Sequence, residues 1–296
     1  MSTLKKFAWL SVATAIVTIL IKLTAWYVTG SVGLLSDAAE SVVNLVAALI
    51  AVWAVTVAER PADDDHQYGH SKVEYFSAGV EGAMIFVAAA FILVVGVERI
   101  INPVPLESMG IGLGISVVAA VMNGVVGLVL MRAGDAHRSP TLKADGKHLM
   151  TDVVTSGGVV VGLTLAWLTG WEILDPLVAI AVGINILFVG YKLVRESGMG
   201  LMDATLPEED NRAIEEILER HREAGSVDFH ELRTRESGKW RFVEFHALVP
   251  GEWSVDRGHE LVEQVEQEIH AALSNTHITS HLEPIEDERA YNDVHL

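Results

Sequence analysis

Long runs of apolar residues, separated by short polar connectors, fill the chain as far as residue 200 and then give way to a charged tail. A helix that crosses a bilayer needs roughly 20 mostly apolar residues, because the hydrocarbon core is about 30 Å thick. The pattern therefore predicts a six-helix transmembrane α bundle over residues 1–202. The predicted spans cover residues 7–28, 31–57, 73–100, 109–132, 142–169 and 174–194.

Lysine and arginine residues are distributed unevenly between the two sides of this six-span arrangement. The connectors on one side, residues 29–30, 101–108 and 170–173, contain neither residue type, whereas the opposite side is rich in both. Short cytoplasmic loops hold an excess of lysine and arginine. The distribution therefore predicts that both termini lie in the cytoplasm.

The charged tail, residues 203–296, alternates between helical and strand-like patterns. Its order of helix, strand, strand, helix, strand predicts a small cytosolic α+β domain with helices on one face of a sheet. It contains 23 acidic and 9 basic residues, so nucleic acid is excluded as a partner. The predicted elements are a helix over 208–221, the strands SVDFHELRTR and KWRFVEFHALV, a helix over 255–273 and the strand HITSHLEPI.

Two of the predicted spans carry matching polar stripes, SDAAESVVN at 36–44 and ADGKHLMTD at 144–152. In each segment polar groups recur at i, i+3 and i+7, which places them on one face of a helix. They could be hydrogen-bonding stripes that join helices. Buried ionisable groups more often mark ion pathways, and four such groups can complete a tetrahedral shell around a divalent cation. The four candidate ligands are Glu40, Asn44, His148 and Asp152.

Two further groups of metal-ligating residues lie outside the spans. Asp63, His66 and His70 follow the second span at i, i+3 and i+7, in a loop that is either a solvated acidic turn or a metal site. The chain has no cysteine, so any metal must be held by nitrogen and oxygen. A third group is predicted in the tail, on its strands and second helix. Its members are His230, His246, His259, His281 and Glu283.

Four motifs identify a family that this chain resembles. They are LLSDAAESVVN in the second span, ADDDHQYGHSKVE in the following loop, KADGKHLMTDVVTS in the fifth span and GLMDATLPEED before the acidic tail. Together they resemble the cation diffusion facilitator family over essentially the whole chain. The resemblance implies a transporter and not an enzyme, with a six-span membrane domain and a cytosolic ferredoxin-like domain that binds metal and dimerises.

The resemblance also implies roles for the candidate ligands. The stripe residues take the four positions of the family's intramembrane transport site, and the loop and tail groups take its further metal sites. A homodimer is implied, formed through the cytosolic domain and interlocked by an ion pair between Lys72 and Asp203. The implied location is the plasma (inner) membrane of a prokaryote.

The implied mechanism is efflux of a divalent cation by alternating access, in exchange for protons. Zn²⁺ is the cargo expected first. Metal and protons compete because His148 must be neutral and the carboxylates ionised to bind metal. Zinc members usually carry two aspartates, or histidine and aspartate, where this chain has Glu40 and Asn44. Mn²⁺, Fe²⁺, Co²⁺ and Cd²⁺ therefore stay open as the main cargo.

Two other functional classes use similar ligands. A membrane metallohydrolase needs an open water position and a general base, and the chain contains no HExxH pair. A membrane metal sensor without transport could use the tail site alone. It would not require matched polar stripes in two spans.

Overall fold

The computed structural model describes residues 3–29, 32–102, 110–171 and 173–291. The chain divides into two compact units, Met1–Met199 and Gly200–Leu296. Some residues in the described ranges are described by their backbone alone. These are residues 25, 26, 28, 29, 32–40, 43, 110–113, 115, 116, 159, 160, 162–164, 166, 167 and 175.

The first unit consists of long helices, and each predicted span corresponds to one of them. The predicted helical membrane domain is confirmed. Each helix extends beyond its predicted span at one end or both, by one to seven residues, because hydropathy marks the membrane and not the end of helical hydrogen bonding. The helices are α1 (Thr3–Thr29), α2 (Val32–Ala58), α3 (Val73–Ile101), α4 (Gly110–His137), α5 (Pro140–Thr169) and α6 (Leu174–Leu201).

Four stretches of the described residues are long and apolar enough to cross a bilayer. Among the described residues of α2 the apolar helix is shorter, Asn44–Ala58, and α5 carries a polar stripe. The count of six spans therefore stays a prediction. The four stretches are Thr3–Thr24, Val73–Ile101, Val117–His137 and Pro176–Leu201.

Glycines bring two pairs of helices into close contact. A Cβ atom on Gly146 of α5 would lie 2.8 Å from the carbonyl oxygen of Gly127 on α4. A Cβ atom on Gly82 of α3 would lie 2.9 Å from the backbone nitrogen of Val194 on α6. Small residues at such positions let helix backbones approach closely. The α4–α5 and α3–α6 pairs therefore pack tightly, and α1 packs along α2 and α4.

The second unit contains two helices and a three-stranded sheet in the order β1-β2-β3. Strand β1 is antiparallel to β2, whereas β2 and β3 are parallel. The predicted α+β fold is confirmed, including its order of elements. The elements are α7 (Glu208–His221), β1 (Asp228–Ser237), β2 (Trp240–Val249), α8 (Val255–Ala272) and β3 (Thr276–Pro284), followed by a 3₁₀ helix at Glu288–Tyr291.

Both helices of this unit pack on one face of the sheet. Ile214 of α7 and Val265 of α8 share a fully buried apolar core with Phe245 of β2. A buried ion pair ties α7 to β2, since Nε of Arg241 donates to Oδ2 of Asp210 at 2.9 Å. Because side chains alternate along a strand, residues next to these core positions point to the opposite face.

Candidate metal centres

The polar stripes of α2 and α5 meet inside the bundle. Nε2 of His148 lies 2.9 Å from Oδ1 of Asn44, and Nδ2 of Asn44 donates to Oδ2 of Asp152. Asn44 and His148 are both buried. Three of the four predicted ligands of the intramembrane site are therefore in contact across the two helices.

The fourth predicted ligand, Glu40, lies on α2, and its side chain is outside the described residues. Its position precedes Asn44 by four residues. Residues four apart lie on the same helix face. The backbone of α2 thus carries both positions on one stripe.

Asn123 is a neighbour of this site that the sequence did not reveal. Its Nδ2 donates to Oδ2 of Asp152 at 3.3 Å, and the residue is buried on α4. A single amide in an apolar span, without a matching partner elsewhere, gives no recognisable spacing. The available signal was only that a buried amide needs a hydrogen-bond partner.

The loop between α2 and α3 gathers its three predicted ligands. Nδ1 of His66 lies 3.1 Å from Oδ1 of Asp63, and Nε2 of His70 lies 3.2 Å from Oδ2 of the same carboxylate. One ligand atom from each residue lies within 4.8 Å of the others. Two imidazoles and a carboxylate are a donor set that suits a divalent transition metal.

The electrostatics of this loop favour an ionised Asp63. Desolvation raises the pKa of the Asp63 carboxyl, but the hydrogen bonds from His66 and the charges of His70 and His66 outweigh it. The pKa therefore lies below its ordinary value. The Asp63 carboxyl is therefore favoured in its ionised form, which is the form that binds a metal ion. The backbone N–H of His66 donates to its Oδ1 at 2.7 Å.

The cytosolic unit aligns three histidines across its sheet. His230 pairs with His246 between β1 and β2, and His246 pairs with His281 between β2 and β3. The ring centroids of these two pairs are 5.1 Å and 5.0 Å apart. His246 follows the core residue Phe245, so this row lies on the face opposite the helices.

Glu283 completes this cytosolic cluster. Its Oε2 lies 3.0 Å from Nε2 of His230 and 3.3 Å from Nδ1 of His246. One ligand atom from each of these three residues lies within 4.8 Å of the others. The two imidazoles and the carboxylate fit a zinc ion by their chemistry and mutual distance. Tyr291, which the sequence did not single out, lies beside the cluster with its ring centroid 6.0 Å from that of His230.

The other two predicted cytosolic ligands are less closely associated. Nδ1 of His281 is 3.7 Å from Oε1 of Glu283, and its side chain is 66% exposed. The structure does not bring His259 to the cluster. Its Nε2 is 3.8 Å from Glu263 on the same helix, α8.

Asp203, which the family resemblance pairs with Lys72, lies near the start of the second unit. Its Oδ1 accepts from Nη1 of Arg235 at 3.2 Å. Its φ of 59° is in the left-handed region, which aspartate tolerates better than most residues. The interlock with Lys72 across a dimer stays a prediction.

Comparison with protein families agrees with this division into a membrane part and a soluble part. The family described as cation efflux transmembrane domain matches residues 8–202. The chain belongs to the cation diffusion facilitator family. A second family description, cation efflux protein, cytoplasmic domain, matches residues 206–285. The family is a transporter family, and this member of the cation diffusion facilitator family is a transmembrane metal cation efflux transporter.

Individual relatives cover nearly the whole chain. The uncharacterized transporter sll1263 of Synechocystis is 48% identical over 97% of this chain and 92% of its own length. The cation-efflux pump FieF of Citrobacter koseri is 31% identical over 90% of this chain and 88% of its own length. A solved structure, the metal-bound C-terminal domain of the CzcD transporter from Thermotoga maritima, is 28% identical. It covers 27% of this chain and 92% of its own, with a TM-score of 0.24.

Proposed function

We propose that this transporter exports a divalent cation, Zn²⁺ before others, from the cytoplasm in exchange for protons. The observation that carries the proposal is the contact of Asn44, His148 and Asp152 inside an apolar bundle. Buried polar and ionisable groups in a membrane are costly, and they mark ion pathways when they face a protein interior. Glu40 is proposed as the fourth ligand.

The donor chemistry supports exchange of metal for protons. His148 binds a cation only when its ring nitrogen is free of a proton, and Asp152 binds one only when ionised. Metal arrival therefore releases protons from the site, and protons from the opposite side displace the metal. Alternating access of the site to the two sides converts this competition into coupled transport.

Zn²⁺ leads the proposed cargoes because it accepts mixed imidazole and carboxylate ligands. One observation favours a harder second candidate, Mn²⁺ or Fe²⁺. The carboxylate of Asp152 and the amide oxygen of Asn44 are oxygen donors, so they outnumber the single imidazole of His148 in this region. Oxygen-rich shells suit Mn²⁺ better than zinc. Co²⁺ and Cd²⁺ belong in the same comparison.

We assign transport to residues 1–202, and metal binding and dimerisation to residues 203–296. In this proposal the chain works as a homodimer in a prokaryotic plasma (inner) membrane with both termini in the cytoplasm. Zn²⁺ held by His230, His246 and Glu283 strengthens the dimer, with His259 and His281 contributing when two protomers meet. Lys72 of one protomer pairs with Asp203 of the other. Disulfide trapping between Lys72→Cys and Asp203→Cys chains tests this pairing.

Metal flux into proteoliposomes with an internal pH indicator tests the transport proposal. We expect the purified wild type to move Zn²⁺ with an opposite flow of protons, and Asp152→Ala to lose both. Asp135→Ala is the matched control, since its carboxylate pairs with Lys143 at 2.8 Å near the end of α4. Normal transport by Asp152→Ala, or metal flux without proton flow in the wild type, would contradict the proposal.

The same preparation ranks the cargoes. Zn²⁺, Cd²⁺, Mn²⁺, Fe²⁺ and Co²⁺ are supplied separately, and initial rates are compared at equal free concentration. Zn²⁺ is expected to give the highest rate. Faster transport of Mn²⁺ or Fe²⁺ would instead support a site whose ligands are mostly oxygen atoms.

A further inference from the structure

Glu81 is a carboxyl group buried in the membrane domain that the proposed metal site does not use. It lies on α3 and is 0% exposed. Neither of its carboxyl oxygens has a hydrogen-bond partner among the described residues. A buried ionised carboxylate in such surroundings is strongly disfavoured, because nothing replaces its lost hydration.

The charged neighbour of Glu81 is a second carboxyl group. Asp145 lies on α5, is 1% exposed and interacts electrostatically with Glu81. Its Oδ1 accepts a hydrogen bond from Oγ of Ser11 at 3.0 Å, and its Oδ2 has no partner among the described residues. Two like charges that share a buried site cannot readily both be ionised.

Both lysines of α5 pair with other carboxylates, and His148 on the same helix acts electrostatically on Asp145. On α5, Nζ of Lys147 lies 3.0 Å from Oε2 of Glu196. On α6, the residues next to Gly82 of α3 are Leu193 and Val194, which are apolar. The side-chain-described part of α2, residues 41, 42 and 44–58, contains no titratable residue. Within the described residues, Asp145 is therefore the group whose charge acts on Glu81.

The roles of the two carboxyls can be separated. Asp145 has a hydroxyl donor in Ser11, which stabilises the ionised form. Glu81 has none, and Oγ of Ser77, one helical turn away on α3, is buried without a partner as well. If one proton is held between the two carboxyls, the proton belongs on Glu81. The negative charge belongs on Asp145.

We infer that Glu81 is a proton-binding site, separate from the four metal-ligand positions, that holds a proton against the adjacent Asp145 carboxylate. The proton forms an O–H bond with one carboxyl oxygen of Glu81 and is given up to water when the transporter opens this region to solvent. The site then carries protons that do not compete for the metal ligands. This inference rests on the proposed exchange of metal for protons.

Infrared difference spectroscopy of the full-length transporter in lipid tests the protonation directly. A protonated carboxyl has a C=O stretching band that shifts when the solvent is changed to D₂O. At neutral pH we expect this band in the wild type, and its loss in Glu81→Gln, which keeps the side-chain volume. Ser77→Ala, a change at the neighbouring buried hydroxyl, is the control and should retain it.

The inference is overturned if the wild type lacks a protonated-carboxyl band at neutral pH, or if Glu81→Gln retains the same band. The wild-type measurement needs no variant, so a folding defect in Glu81→Gln does not prevent the test. The same proteins are then reconstituted with an internal pH indicator. Glu81→Gln should still transport Zn²⁺ but move fewer protons per metal than the wild type and Ser77→Ala.

The two hypotheses fail in different ways. If the wild type moves Zn²⁺ without moving protons, the proposed exchange is wrong, whatever the infrared band shows. If the wild type exchanges Zn²⁺ for protons and Glu81→Gln has an unchanged proton-to-metal ratio, the exchange stands and the role of Glu81 is wrong.

Discussion

Oδ1 of Asn44 on α2 lies 2.9 Å from Nε2 of His148 on α5. The other end of the same amide donates to Asp152, so one side chain holds both α5 ligands in place. An amide can do this because it is a donor and an acceptor at once. A carboxylate in its position could accept from His148 but could not donate to Asp152.

Replacing Asn44 by aspartate should therefore tighten metal binding. In Asn44→Asp two carboxylates face each other, and a divalent cation relieves their repulsion. We expect Zn²⁺ affinity at neutral pH to rise by about tenfold or more, which corresponds to about 1.4 kcal/mol. Competition with a fluorescent chelator measures it. Unchanged affinity would show that residue 44 does not touch the metal.

Asn123 should matter without being a ligand. Its amide orients the Asp152 carboxylate, and loss of such outer partners typically costs 10–100-fold in metal affinity. We expect Asn123→Ala to weaken Zn²⁺ binding within that range of about 10–100-fold. Asn185→Ala removes an exposed amide on α6 and should leave the affinity unchanged. Equal effects of the two variants would refute the assignment.

The loop site should depend on one aspartate among three in a row. All three aspartates are exposed, but among the described contacts it is Asp63 that reaches both His66 and His70. In an Asp152→Ala background, Asp63→Asn should lose the metal bound at the loop and Asp65→Asn should keep it. Equilibrium dialysis counts the bound metal. Equal loss in both variants would indicate a diffuse acidic turn instead of a site.

The cytosolic cluster should tolerate loss of His259 better than loss of His246. His246 is the centre of the histidine row and contacts Glu283, whereas the side chain of His259 is 66% exposed beside Glu263. We expect His246→Ala to reduce Zn²⁺ affinity of the tail by at least about tenfold more than His259→Ala. His270→Ala on the exposed face of α8 is the control. The reverse order would make His259 a primary ligand.

The contact between α7 and α8 should make the stability of the tail depend on pH. The hydrogen bonds from Arg220 and His221 lower the pKa of Glu268 below its ordinary value. A group with a lowered folded-state pKa stabilises the fold above its unfolded-state pKa, and this contribution is lost as pH falls through the folded-state pKa.

Thermal unfolding of the full-length protein over an acidic pH series measures this dependence. The difference in stability between wild type and Glu268→Gln should be constant near neutral pH and shrink on acidification. Glu215→Gln, an exposed carboxylate on α7, should show no such change. A difference that grows on acidification would contradict the sign of the linkage.

The sequence predicted the cytosolic unit almost residue by residue. The run 208–221 predicts a helix over the same residues that α7 occupies, because its apolar positions follow the helical period and three acidic residues begin it. The turn between β1 and β2 begins at Gly238, which has a positive φ of 57° and is a residue type typical of turns. Both signals are local, so periodicity and turn chemistry suffice to detect them.

Features that depend on tertiary contact were harder to predict. Asn123 lies 29 residues before its partner Asp152, and no repeat or spacing connects the two. Tyr291 reaches His230 only because a 3₁₀ helix returns the chain to the sheet. The electrostatic interaction between the buried carboxyls of Glu81 and Asp145 likewise links α3 to α5 and has no sequence periodicity. In each case the partner residue is determined by helix packing or by the path of the chain after β3.

The glycine contacts between α4 and α5 divide the hydrogen bonds of Asp152 into two kinds. The bond from Asn123 lies within a tightly packed helix pair, whereas the bond from Asn44 crosses to a helix outside that pair. A shift of α2 by one helical turn, about 5.4 Å, would break the second bond and spare the first. Asp152 would then keep its hydrogen bond from Asn123, while the ligands on α2 moved away from those on α5. The site could therefore release the cation without a rotamer change in any ligand.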